Sequence, residues 1–216
     1  NAHLELDAKS CETFETSLIY HKLKSEDKLK DYYKYILGDI SRSDFLEKNS
    51  SSTISNSVIN TAIGGDNNKV IFAKIDNLVK GKPVDLIVGG PPCQAYSLVG
   101  RSRDKNKMKD DPRNFLYKEY AKFLKKYQPK VFVFENVMGL ITAESGSYFK
   151  NMQAYFKRIG YELDYTIQKS EHFGVLQKRR RIILIGWQKG FSFQYPSFTK
   201  VKEKYTLDQI LSDLKK

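Results

Sequence analysis

Three short segments of this 216-residue chain carry side chains that could make bonds or move protons. The first is GGPPCQAYS, Gly89–Ser97. Its two glycines and two prolines are read as fixing a tight turn that presents Cys93 just past an apolar run. A thiolate placed among cations at such a turn is a nucleophile. On these residues alone, catalysis and a free structural thiol stand level. Cys11, in a helical pattern, reads as a small core residue. The second segment is Glu135–Asn136, which follows KVFVF directly. A carboxylate closing a buried strand is partly desolvated, which raises its pKa toward general-acid use. An equal alternative is a glutamate that accepts backbone N–H groups from a neighbouring loop. The third is Gln177–Arg181, QKRRR, leading into IILIGW. Strand alternation puts Arg179 and Arg181 on one face and Lys178 and Arg180 on the other. Lys178 and Arg180 read as solvated surface. Arg181 reads as a guanidinium aimed at an anion or carboxylate.

Such groups need a scaffold, and the chain alternates strand-like and helix-like patterns, the mark of an α/β layer fold. His3–Leu6 is short and apolar-leaning, and Ala8–Leu23 and Asp27–Leu37 read as helices, the second stopped by Gly38. Residues 41–69 turn to Ser and Asn around SSSTISNS and read as a long surface excursion. Val84–Val88 and Lys130–Phe134 are apolar runs expected as buried parallel strands. Between them lies a charged loop, Gly100–Asp111, and a helix with Leu116, Tyr120, Phe123, Leu124 and Tyr127 on one face. Asp110 and Asp111 read as a charge pair at that helix's N-terminus. A further helix carries Phe149, Met152, Phe156 and Ile159. Tyr161–Gln168 and Ile182–Trp187 are too close in sequence for a crossover, so an antiparallel hairpin at the sheet edge is expected. A short helix with a Thr206 cap closes the chain. Ligands in open α/β sheets sit beyond the carboxyl ends of the strands. Glu5–Asp7, Gly89–Cys93 and Glu135–Asn136 would then share one crevice.

Composition narrows the partners. Lys plus Arg number 37 against 25 Asp plus Glu, a formal net charge of +12. That excess points to a polyanion such as nucleic acid, with a solvated lysine-rich surface as the plain alternative. Two cysteines exclude a disulfide scaffold, and His3, His21 and His172 are too scattered for a metal site, so no metal is expected. No run approaches a membrane span and no export signal opens the chain, so a cytoplasmic protein is expected. A dinucleotide-dependent oxidoreductase lacks its GxGxxG, for which Gly64–Gly65 is no substitute.

In this order along an α/β chain, the segments resemble the DNA (cytosine-5)-methyltransferases. Pro92–Gln94, Glu135–Val137 and Gln177–Arg181 are similar to that family's nucleophile, glutamate and arginine motifs, and their flanks resemble it too. The resemblance covers nearly everything outside residues 41–69. It implies a Rossmann-like S-adenosylmethionine-dependent methyltransferase fold, mostly parallel with an antiparallel edge hairpin, over residues 1–198. Residues 199–216 would begin a connection toward a target-recognition region. The implied chemistry is attack by Cys93 on C6 of a cytosine flipped out of double-stranded DNA, followed by methylation at C5. Glu135 would hold N3, Asn136 would support its loop, and Arg179 and Arg181 would position the base and orient Cys93 or Glu135. Glu5 would bind the cofactor's ribose and Leu6 its adenine. Asp39 and Ile40, in Gly38–Ile40, would meet the adenine edge, and Pro92 and Leu116 would line the pocket. Gln94, Ser97, Arg101 and Gln177 would contact substrate, in part through a basic loop from Tyr96 to about Lys109.

The resemblance is incomplete in two places. The family's first strand and its Gly-rich cofactor loop would precede His3, and its recognition region would follow Phe198. A fragment, or one chain of a pair completed by a complementing chain, is therefore expected. Leu176 stands where the family has proline. Two rivals remain: a tRNA cytosine-5 methyltransferase, and a non-catalytic nucleic-acid-binding subunit.

Overall fold

A computed structural model describes residues 1–91, 116–201, 207–212 and 214, and these fall into two compact units, Asn1–Lys82 and Pro83–Lys216. In the first unit, strand β1 (His3–Glu5) leads into helix α1 (Ala8–Ser25). Asp7 starts that helix by accepting from the Ser10 backbone N–H at 2.7 Å. Helix α2 (Lys30–Leu37) ends where Gly38 turns left-handed at φ 85°, the stop expected of that glycine.

Residues 41–69 depart from the expected surface excursion. They form α3 (Arg42–Asn49), α4 (Ser52–Ser57) and β2 (Val58–Asn60), and run into α5 (Asn67–Val79). Their serines act as caps: Ser41 and Asp44 make a reciprocal capping box, and Ser51 accepts from the Ile54 N–H. Phe45 is fully buried against Ile19 and Leu23, and stacks on Tyr35 with ring centroids 4.8 Å apart. The polar composition records helix starts, and the few apolar residues between them are core.

β2 lies parallel to β1, with Glu5 opposite Asn60. Parallel pairing brings the carboxyl ends of the two strands together.

The second unit is built on a four-stranded sheet in the order β3 (Leu86–Gly89), β4 (Val131–Asn136), β6 (Arg180–Gln188), β5 (Tyr161–Lys169). Only β3–β4 is parallel here; β4–β6 and β6–β5 are antiparallel, so this sheet is mixed rather than mostly parallel. The physical reason is connection length. Ser170–Arg179 cannot carry a crossover helix, so β6 must return antiparallel, and it inserts between β4 and β5.

Helices α6 (Leu116–Tyr127) and α8 (Ser147–Arg158) cover one sheet face, with the short α7 (Gly139–Thr142) between them in sequence. Phe132, Phe134, Phe156 and Tyr161 form the centre of that core with Leu124, Ile182 and Leu184. Packing there is tight. A Cβ on Gly186 would stand 2.1 Å from the Phe132 ring. The last helix, α9 (Leu207–Ile210), is shorter than expected, and its proposed cap Thr206 lies outside the described residues. Among the described residues no helix is long and apolar enough to cross a membrane, and no cluster of side chains could hold a metal ion.

Candidate active site

The second unit assembles a polar cluster at the carboxyl ends of β3 and β4. Alternation along β4 buries Phe132, Phe134 and Asn136 and leaves Val131, Val133 and Glu135 on the other face. Glu135 stands opposite Ile183 on β6, and Arg181 lies two residues earlier on that strand, hence on the same face. This diagonal places Arg181 Nε 2.6 Å from Glu135 Oε1. The arginine was expected to face an anion or a carboxylate, and in this structure it faces Glu135. Glu135 keeps 40% of its side chain exposed. A second bond orients the guanidinium, with Arg181 Nη1 donating to the Arg180 carbonyl at 2.8 Å.

Asn136 does the work on the buried side. It is 1% exposed, and its Nδ2 donates 3.2 Å to the carbonyl of Pro91, just before Pro92 and Cys93. Its Oδ1 accepts from the Val137 N–H at 2.9 Å. One amide thus ties the end of β4 to the end of β3. Gly89 and Gly90 serve this approach by their size. Neither has a left-handed backbone. A Cβ on Gly89 would come 2.6 Å from the Tyr120 ring, and one on Gly90 would come 2.9 Å from Glu135 Oε2. Burial pushes the Tyr120 phenol far up, so it remains a donor, within reach of the Ile87 and Val133 carbonyls.

The remaining arginine-segment residues separate. Arg179 and Gln177 are exposed, and the Arg179 guanidinium has no partner among the described residues. Ser170 braces this stretch: its hydroxyl donates to the Gln177 carbonyl and accepts from the Arg179 N–H, and its own N–H donates to the Arg179 carbonyl. Sequence reasoning missed Ser170. The only local sign was a serine ending an alternating run. Leu116 opens α6, half-buried. Cys93, Pro92, Gln94, Ser97 and Arg101 lie outside the described residues, as do Asp110 and Asp111.

The first unit holds its own polar strand end. Glu5 Oε1 accepts from the N–H groups of Leu6 at 2.7 Å and Asp7 at 2.9 Å. Its Oε2 has no partner among the described residues, and Leu6 beside it is 67% exposed. An anionic acceptor and a bare apolar surface therefore sit side by side.

Asn60 and Thr61 close on this corner. No hydrogen bond or ion pair joins Asp39 or Ile40 to Glu5–Asp7. They follow α2, and Ile40 packs on the Ile19–Leu23–Phe45 cluster. Cys11 is buried, and its thiol contacts the Glu5 carbonyl at 3.6 Å. Burial pushes its pKa up, as befits a structural cysteine.

A mixed α/β sheet with polar groups gathered at its strand ends is the arrangement at which α/β proteins commonly bind ligands. Comparison with known proteins makes the class specific. The C-5 cytosine-specific DNA methylase family matches residues 36–216, and the chain belongs to that family. It is 35% identical to the type II methyltransferase M.Bpa9945I of Bacillus paralicheniformis over 99% of this chain and 55% of that protein. It is 40% identical to the type II methyltransferase M1.HphI of Haemophilus parahaemolyticus over 58% of this chain and 34% of that protein. The chain thus spans about half or less of the length of these relatives. Two solved structures share the fold. A protein of an E. coli prophage, described as a DNA modification methyltransferase, superposes with a TM-score of 0.55 at 24% identity, covering 73% of this chain and 42% of that one. The Entamoeba histolytica methyltransferase EhMeth gives 0.50 at 15% identity, covering 94% and 49%.

Proposed function

We propose that the protein containing this chain methylates C5 of cytosine in double-stranded DNA, as the modification enzyme of a restriction–modification pair. The observation that carries this reading is the Arg181–Glu135 pair at 2.6 Å, beside an Asn136 that holds the Pro91 carbonyl at the stem of the Cys93 segment. Cys93 adds through sulfur to C6 of a flipped cytosine, which makes C5 nucleophilic. Glu135 holds the N3 edge of the base, and Arg181 fixes which way that carboxylate points. After C5 has gained its methyl, water takes the C5 proton, the C5–C6 double bond re-forms and the Cys93 sulfur leaves as thiolate.

S-adenosylmethionine supplies the methyl group from its sulfonium. Glu5 and Leu6 suit its nucleoside end. The free Oε2 of Glu5 can accept from ribose hydroxyls, and the exposed Leu6 offers a flat base an apolar surface.

The test is trapping on DNA that carries 5-fluorocytosine, where C5 cannot lose a proton and the adduct persists. With S-adenosylmethionine present, the intact protein is expected to form a covalent complex, and Cys93→Ala to form none and to lose methyl transfer. Undiminished transfer by Cys93→Ala would sink the mechanism. DNA binding without any adduct would mark a non-catalytic binding subunit, and an adduct with fluorinated RNA but not DNA would move the substrate to RNA.

A further inference from the structure

We infer that Asn60 is a positioning residue for the cofactor's ribose and base, acting through the Glu5–Leu6–Asp7 corner. The inference rests on the cofactor reading just proposed. Asn60 ends β2 directly opposite Glu5, at the shared carboxyl end of two parallel strands. Its Nδ2 donates to the Glu5 carbonyl at 3.1 Å and to the Leu6 carbonyl at 2.7 Å. The Thr61 N–H adds a bond to the Glu5 carbonyl at 3.2 Å. From the other side, Glu5 Oε1 takes the N–H groups of Leu6 and Asp7.

The corner is thus held on both sides of its backbone. The carbonyls are gripped by Asn60, and the amides by Glu5 itself. Asp7 then fastens the exit by capping α1. What this leaves without a partner among the described residues is Glu5 Oε2, beside the exposed Leu6 side chain. Both stand on peptide units whose orientation Asn60 helps to set.

The residue type follows from the task. Two carbonyls must be met by one short planar group with two N–H bonds, and asparagine supplies it. Aspartate at position 60 would be the same shape with acceptors only, facing two carbonyl oxygens. Serine would retain a single donor. Asn60 itself has no need to touch the ligand, so its loss should act on cofactor affinity through the tilt of Glu5 and Leu6.

The experiment measures binding of S-adenosylhomocysteine to the intact protein by calorimetry, beside the thermal midpoint with and without that ligand. Asn60→Asp is expected to weaken binding by about tenfold, the scale of the hydrogen bonds lost. The KM for S-adenosylmethionine should rise by a similar factor, while kcat at saturating cofactor stays within about threefold. Asn60→Ser should fall between the wild type and Asn60→Asp, which keeps the test open if the aspartate variant folds poorly. A purely structural asparagine would lower the ligand-free midpoint and leave affinity unchanged. That result, together with weakened binding by Glu5→Ala, would overturn the role of Asn60 and leave the cofactor reading intact. Wild-type and Glu5→Ala protein binding equally well, or neither binding, would overturn the cofactor reading and this inference with it.

Discussion

Gly90 shows at the scale of one residue how narrow the site's tolerances are. Its missing side chain leaves the space that Glu135 Oε2 occupies; any Cβ there would sit 2.9 Å from that oxygen. The obstructed atom is the end of a side chain rather than backbone, so the carboxylate can yield by disturbing its partly exposed pair with Arg181, at small cost to folding. Gly90→Ala is therefore expected to fold with nearly unchanged stability in urea, yet to lose methyl-transfer rate by about a hundredfold through a misplaced Glu135. Equal loss of stability and activity would show that the glycine serves the backbone instead. Position 135 itself was legible in sequence because a carboxylate closing an apolar run is a local signal. Its partnership with Arg181 was half legible: alternation gave the face, but the register of β4 against β6 chose the carboxylate.

Elements tell a different story in residues 41–69. Serine and asparagine dominate that composition, and composition alone cannot distinguish a solvated loop from a run of helix caps. The structure resolves the ambiguity with Phe45, fully buried where α1 and α3 meet. Phe45→Ala should cost about 3–5 kcal/mol, the range for truncating a buried phenylalanine, read as a lower midpoint in urea unfolding. An effect below about 0.5 kcal/mol would restore the segment to a surface excursion. The β5–β6 pair was readable for the opposite reason. A connection too short for a crossover helix leaves only an antiparallel return, and chain length is written in the sequence. That β6 would insert beside β4, making this sheet mixed, depends on long-range pairing energies that no local pattern carries.

The whole molecule is governed by its charge of +12. If the excess lysine and arginine neutralise DNA phosphates, binding releases condensed counterions, and affinity must fall as salt rises. DNA affinity is expected to drop by an order of magnitude or more between about 50 and 200 mM salt, measured by fluorescence anisotropy on unmodified duplex. Salt-independent binding would assign the charge to a solvated surface. The same experiment on Cys93→Ala should give the same slope, because the nucleophile contributes no phosphate contact.

The sequence by itself determined the α/β character, the polar residues that end β1 and β4, and the family. All are local: an apolar run followed by a special residue announces itself without knowledge of its neighbours. Only tertiary structure decided what meets Glu5. Asn60 lies in the most featureless part of the chain, and its significance comes from a parallel pairing that sets it opposite a strand end far away in sequence. Residue type settles what a side chain can do. Register settles which partner it does it with, because hydrogen bonds act over about 3 Å and sequence separation carries no such distance.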